Sequence, residues 1–268
     1  MKPLVAFALA MLWSTPATAD KDASAQKAVE TSQAAIGSML PDLAFTRSDG
    51  ARINLSAYRG RPLLVSLVYT GCADVCPALI ENLAPAVDIA QDALGRDSFS
   101  VVTVGFDTRN DTPARLRSFA RQHGATLPNW DFLAADAATL DALVAATGFS
   151  FFPSAGGFDH MAQVTVVGAD GVIYQHVYGG VFEPRAIVEP LKDLVFGRSR
   201  PLLSAAGLLD RVRFYCTIYN PNTGRYYFNY SLIIGIAIGV ICIFVVGGIL
   251  IREFLRSRRL TIKGTATR

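Results

Sequence analysis

Cys72 and Cys76 stand four residues apart in Tyr69-Thr70-Gly71-Cys72-Ala73-Asp74-Val75-Cys76-Pro77, where a β-branched apolar run gives way to an amphipathic one. Two thiols at such a strand-to-helix corner can hold a soft metal ion or interconvert with a disulfide. Positions i and i+4 of a helix share a face, so a near-helical turn at Cys72 points both sulfurs one way, with their Cα atoms within disulfide reach. The unpaired N–H groups of a helix N-terminus favour thiolate, the form that binds metal and attacks disulfides. In an exported protein the plain alternative is a structural bridge. A bridge closing so small a loop removes little unfolded-state entropy. The C-terminal edge of a sheet is also where ligand crevices form, which favours a functional pair.

Two thiolates leave Cu(I) or Zn(II) wanting a further ligand, and imidazole is the usual supplement. The chain offers His123, His160 and His176. His123 ends a helical pattern beside Gly124 and reads as a partner for the helix C-terminus. His176 lies in the alternating run Ile173-Tyr174-Gln175-His176-Val177 and is expected on an exposed strand face. His160 follows the Gly-rich stretch Ser154-Ala155-Gly156-Gly157-Phe158-Asp159, read as a loop, and precedes a strand. Such a loop can carry a ligand over a neighbouring site, although a lone loop histidine is more often simply solvated. Asp159 beside it could orient the ring or tune its basicity, or simply shape the turn.

The elements that must position these groups alternate strand and helix. A hairpin is expected at Asp49-Gly50, with Leu43 to Thr46 and Arg52 to Leu55 as arms. Buried strands follow at Pro62 to Tyr69 and Ser98 to Phe106, with a helix between them from Pro77 to Leu94. Asp111 or Thr112 caps a helix reaching His123, with Pro113 just inside. Trp130 to Leu133 reads as a short strand and Ala137 to Thr147 as a helix. Met161 to Val167 and Val172 to Tyr178 flank the turn Ala169-Asp170-Gly171, and Pro184 to Phe196 closes with a helix. The pattern predicts an α/β fold, a mixed sheet with helices on both faces.

The ends read as targeting devices. Lys2, the apolar run Leu4 to Trp13 and Ala17-Thr18-Ala19 make residues 1–19 a signal peptide. Residues 20–40 are rich in Ala, Ser, Gln and Lys and read as a linker or frayed helix ahead of the compact domain, 41–196. A juxtamembrane segment, 197–230, leads to 231–251, which carries no charge and is long enough to cross a bilayer as a helix. The basic tail 252–268 then lies in the cytoplasm by the positive-inside bias, leaving the domain outside the inner membrane of a bacterium.

Charge agrees with that division. Residues 20–230 hold 18 basic and 21 acidic residues, whereas 252–268 hold 6 basic and 1 acidic. The domain has no basic stripe, which argues against nucleic acid as a partner. Cys242 falls inside the expected span as a packing residue, and Cys216 is an exported thiol without an obvious mate.

Gly71-Cys72-Ala73-Asp74-Val75-Cys76-Pro77, Gly105-Phe106-Asp107-Thr108-Arg109-Asn110-Asp111-Thr112-Pro113 and Phe158-Asp159-His160 before a strand together resemble the Sco/SenC family of membrane-tethered copper proteins. The resemblance covers about residues 41–196. It implies a thioredoxin-like domain that binds one copper ion through Cys72, Cys76 and His160. It also implies a role in assembling the dinuclear copper centre of cytochrome c oxidase, by delivering copper or by reducing the recipient's cysteines. The partners would then be the copper-bearing subunit of the oxidase or another copper chaperone. The competing activity is thiol-disulfide exchange by the redox-active pair Cys72 and Cys76, with either sulfur as the attacking one. No Thr-x-x-Cys arrangement precedes Cys72, which argues against a peroxidase. Two departures stand out: Ala73 lies where the family commonly has proline, and the expected anchor is C-terminal where the family's is usually N-terminal.

Overall fold

A computed structural model describes residues 17–154, 156–196, 217–220, 225–228, 234–235, 237–249 and 252. They belong to two units divided after Leu208. In the first unit seven strands build one mixed sheet in the order β2-β1-β5-β4-β3-β8-β9. These are β1 (Ala44–Arg47), β2 (Arg52–Asn54), β3 (Leu63–Val68), β4 (Ser100–Gly105), β5 (Trp130–Ala134), β8 (Gln163–Val167) and β9 (Ile173–Tyr178). A separate two-stranded hairpin, β6 (Phe151–Ser154) and β7 (Gly157–His160), lies between α4 and β8 in the chain. The helices are α1 (Ala17–Ala34), α2 (Val75–Leu94), α3 (Pro113–Gln122), α4 (Ala137–Thr147) and α5 (Arg185–Phe196).

The parallel centre follows from composition. Every residue of β3 and β4 is buried, because parallel strands covered on both faces must be apolar along their whole length. Their polar exceptions satisfy one another: Ser66 and Thr103 hydroxyls lie 2.8 Å apart, and the Trp130 indole donates to Thr103 at 2.8 Å. Antiparallel β8 and β9 extend the sheet beyond β3, and α5 packs on both and on α2. This β4-β3-β8-β9 order, with α2 and α5 packed together, is the thioredoxin-like arrangement that the resemblance implies.

Three expectations change. The stretch 20–40, expected as a linker or frayed helix, is helical to Ala34 and tied to the sheet beyond it. Ser32 is buried with its hydroxyl 2.5 Å from that of Tyr178, Gly37 donates to the Ile173 carbonyl at 2.8 Å, and Leu40 donates to that of Gly171 at 2.8 Å. Polar composition misleads here because α1 is anchored by hydrogen bonds to β9 rather than by an apolar stripe. The Gly-rich stretch before His160 is a hairpin, not a loop, with Phe151 paired to His160 and Phe152 to Asp159.

His176 is buried, not exposed, because docking of α1 covers the outer strand at that point. Its Nδ1 lies 3.0 Å from Gln163 Nε2 and 3.0 Å from Thr165 Oγ1, while its Nε2 is buried without a hydrogen-bond partner among the described residues. Burial holds its pKa below the ordinary value, partly offset by the Ser32 backbone. The folded state therefore resists binding a proton that the unfolded chain takes up near pH 6.5, so stability is full above that pH and falls as pH drops through the folded value. A His176→Gln protein should show a shallower slope between pH 7.5 and 5.5 in thermal melts, the remainder belonging to His160, whose pKa burial also lowers. An unchanged slope would put the acid sensitivity elsewhere.

In the second unit, β10 (Thr217–Asn220) and β11 (Arg225–Phe228) form an antiparallel hairpin. Residues 237–249 are helical, and Ile238, Val240, Ile241, Ile243, Phe244, Val245, Val246 and Ile249 are all exposed. Among the described residues no helix is long and apolar enough to cross a membrane. Positions 231–233, 236 and 250–251 of the expected span, Cys216 and the signal peptide through residue 16 lie outside the described residues.

Candidate metal centre

Three segments deliver the chemistry. β3 ends at Val68 and releases Tyr69 to Asp74 at the C-terminal edge of the sheet, where α2 begins at Val75. Cys72 is therefore in the turn rather than on the helix, and its carboxyl-side neighbours do not place it by helical spacing. The turn closes instead through the Cys72 N–H to the Tyr69 carbonyl at 3.1 Å. Asp74 stands at the N-cap without a side-chain cap bond, so the first turn of α2 keeps an unused donor. That donor, the Cys76 N–H, meets Cys72 Sγ at 3.4 Å. The sulfur thus takes the place of a capping oxygen.

This geometry separates the two thiols. Cys72 is half-buried; burial raises its pKa, but the N–H groups of Cys76 and Asp74 outweigh that and the net shift is downward. Cys76 is 0% exposed, and burial pushes its thiol up, reinforced by the neighbouring Cys72 and by the charge of Asp111. Both cysteines are free thiols.

His160 arrives on the last residue of β7. Its Nε2 lies 3.3 Å from Cys76 Sγ and its Nδ1 lies 3.3 Å from the Met161 carbonyl. Burial holds its pKa below the ordinary value, against the raising influence of the Met161 carbonyl and the Asp159 charge, so the neutral, ligating form prevails at neutral pH. Asp159 is exposed and paired across the hairpin with Phe152. The Met161 carbonyl is the hydrogen-bond partner of the ring Nδ1, and Asp159 acts on the imidazole through its charge. Of the other histidines, His123 is the C-cap of α3 and bonds Glu81 at 2.9 Å, while His176 lies in the α1 contact. Neither joins the site.

Cys72, Cys76 and His160 place their donor atoms within 4.8 Å of one another. With metal–ligand bonds of about 2.0–2.3 Å, three donors in a plane sit about 3.5–4 Å apart. A shift of about 1 Å closes the set on one ion. Two thiolates and an imidazole suit a soft cation such as Cu(I) or a borderline one such as Zn(II).

Two residues that the sequence reading passed over shape the site. Tyr69 is buried, with its ring 5.2 Å from Phe106, 5.3 Å from Phe158 and 5.9 Å from His160, edge-on to the last two. Phe106 also meets Phe149, Phe151 and His160 at 4.9 to 5.5 Å, so an aromatic nest carries the hairpin. Gly157 has φ +127°, and a Cβ there would lie 2.8 Å from the Tyr69 hydroxyl. A Gly157→Ala protein should combine left-handed strain with that collision and lose about 1–3 kcal/mol of stability. It should also bind metal about tenfold more weakly, because His160 is three residues further on. Metal affinity equal to the parent's would mean that the hairpin is not what places His160.

The fold and its donors define a class: a thioredoxin-like domain that offers two cysteine sulfurs and one imidazole at the mouth of its first parallel helix. The comparisons agree. The SCO1/SenC family model matches residues 33–195, and the chain belongs to that family. It is 29% identical over 91 residues to the SCO1 protein homologue of Bacillus subtilis (strain 168), a stretch covering 33% of this chain and 45% of that one. The match thus spans under half the length of that relative. Among solved structures, an Aquifex aeolicus VF5 protein assigned to electron transfer is 25% identical over 62% of this chain and 96% of its own, with a TM-score of 0.55. Copper-bound ScoI of Bradyrhizobium japonicum is 19% identical over 59% of this chain and 99% of its own, with a TM-score of 0.50, a likeness of fold.

Proposed function

We propose that this chain is a membrane-tethered copper chaperone that serves assembly of the dinuclear copper centre of cytochrome c oxidase. Membership of the SCO1/SenC family supports the setting. The observation that carries the reading is the convergence of Cys72 and Cys76, from the strand-to-helix corner, with His160, from the distant end of β7. A structural disulfide needs only the two sulfurs and gives no reason for an imidazole 3.3 Å from one of them. Copper is the cargo: two thiolates and one imidazole hold Cu(I), and an acceptor with similar ligands takes it by stepwise exchange entering at the half-exposed Cys72. ScoI of Bradyrhizobium japonicum has been solved with copper bound, which supports the choice of ion.

The reading places the domain outside the cytoplasmic membrane, with residues 1–19 as a signal, 231–251 as the anchor and 252–268 inside. A helix apolar on every side, as at residues 237–249, requires an apolar surround, and lipid supplies one. The acceptor is the copper-bearing oxidase subunit or another copper chaperone.

A second reading rests on the difference between the two thiols. A half-exposed sulfur with a lowered pKa beside a buried one with a raised pKa suits disulfide exchange, with Cys72 attacking and Cys76 resolving. Anaerobic Cu(I) titration of the reduced full-length protein in detergent, against a competing chelator, tests the first reading. One tightly held copper per chain, abolished by prior alkylation of the cysteines, is expected. Absence of tight binding would leave the exchange activity alone.

A further inference from the structure

The turn that carries Cys72 is exposed at Gly71, Ala73, Asp74 and Val75, and it contains no proline between Tyr69 and Asp74. Its side-chain anchor lies across the sheet edge, in the segment after β4. The Asp111 carboxylate is 3% exposed. One oxygen accepts from both the Thr70 N–H at 2.8 Å and the Thr70 hydroxyl at 2.7 Å, and the other accepts from the Asp107 N–H at 2.9 Å.

The fit is close. A Cβ on Gly105 would lie 2.5 Å from Asp111 Cβ, so only glycine at the end of β4 lets the carboxylate reach the turn. Helix capping does not account for Asp111, since the Thr112 side chain caps α3 by accepting from the Arg115 N–H. Nor does ion pairing, since no salt bridge to Asp111 occurs among the described residues. A buried carboxylate without a cation is costly unless several donors meet it, and here two of its three donors belong to the residue two places before Cys72.

We propose that Asp111 is the positioning residue of the cysteine turn: by gripping Thr70 it fixes where Cys72 Sγ stands relative to Cys76 and His160. Only Gly71, which has no side chain to hold it, stands between Thr70 and Cys72, so release of Thr70 frees Cys72 to swing away from the other two donors. Asparagine cannot substitute. Its one oxygen can serve the Thr70 pair or the Asp107 N–H but not both, and its amide turns a donor toward the remaining donor. The inference builds on the metal reading for its copper readout and stands apart from it in its thiol readout.

The test compares Asp111→Asn, Thr70→Val and the double variant in the full-length protein, at a temperature where circular dichroism shows each folded. The copper arm measures Cu(I) affinity by chelator competition. The thiol arm, without metal, measures the rate at which the Cys72–Cys76 disulfide closes with oxidised glutathione, two thiols being oxidised as one glutathione disulfide becomes two glutathione thiols. Asp111→Asn is expected to weaken copper binding about tenfold and to slow closure about fivefold. Thr70→Val should do less, and the double variant should match Asp111→Asn, because both changes cut one tether. Parental values for Asp111→Asn in both arms, or strictly additive effects of the two substitutions, would overturn the proposal. If the parent itself holds no copper while Asp111→Asn still slows closure, the positioning role stands and the copper reading falls. Should Asp111→Asn fail to fold, Thr70→Val carries both arms alone, and parental values for it count against the tether.

Discussion

A His160→Ala protein is expected to bind Cu(I) at least about 100-fold more weakly than the parent, since even changes one step removed from a metal ligand cost about 10–100-fold. Its disulfide exchange should stay within about threefold of the parental rate. The divergence follows from where the ring stands. His160 Nε2 contacts Cys76 Sγ, while Cys72, the half-exposed sulfur, is stabilised by the N–H groups of Cys76 and Asp74 and needs no imidazole for that. Truncation removes one of three donors and opens a small void among Phe106, Phe149 and Tyr69. Stability should drop modestly, because the histidine is packed at the rim of the nest rather than at its centre. Equal copper affinity in parent and variant would dismantle the three-donor site. Loss of both activities together would instead show that His160 holds the hairpin and the turn in place.

The legible and illegible parts of this chain divide along one physical line. Pattern and punctuation located the elements of the main sheet and α2 to α5 within a few residues, because each is specified by its own periodicity, cap or turn. Thr112 before Pro113 and the Ala169-Asp170-Gly171 hairpin are of that kind. The donors Cys72, Cys76 and His160 were nameable by residue type, and their convergence came from the family resemblance rather than from spacing. What stayed hidden depends on contacts between distant segments. Asp111 read as a capping candidate and proved to grip Thr70, 41 residues away. His176 read as exposed because its covering helix is polar and attaches through Ser32 and Gln33 to Tyr178. The β6–β7 hairpin read as a loop because its strands are short and interrupted by Pro153 and two glycines, and an aromatic nest supplies what local propensity does not.

The two cysteines should fail in opposite ways when replaced one at a time. With Cys76→Ser, a disulfide substrate is attacked by the Cys72 thiolate, one substrate sulfur leaves as a thiol, and the mixed disulfide persists because no second sulfur can displace the protein from it. With Cys72→Ser, the remaining thiol is buried and burial pushes its pKa up, so little of it is thiolate at neutral pH and a substrate disulfide cannot readily reach it. The rate of attack should fall at least about 100-fold. Both variants lose a thiolate ligand and should lose tight copper binding, which makes copper blind to the order of events. Mass spectrometry with the adduct located by peptide mapping distinguishes them after reaction with a model disulfide peptide: an adduct is expected on Cys72 in Cys76→Ser, with Cys76 left unmodified in Cys72→Ser, whatever the thiols outside the pair do. An adduct on Cys76 in the Cys72→Ser protein, formed at a comparable rate, would reverse the roles. It would also mean that the burial of Cys76 is relieved by motion of the turn, since only a displaced Tyr69 to Asp74 segment could let a substrate reach that sulfur.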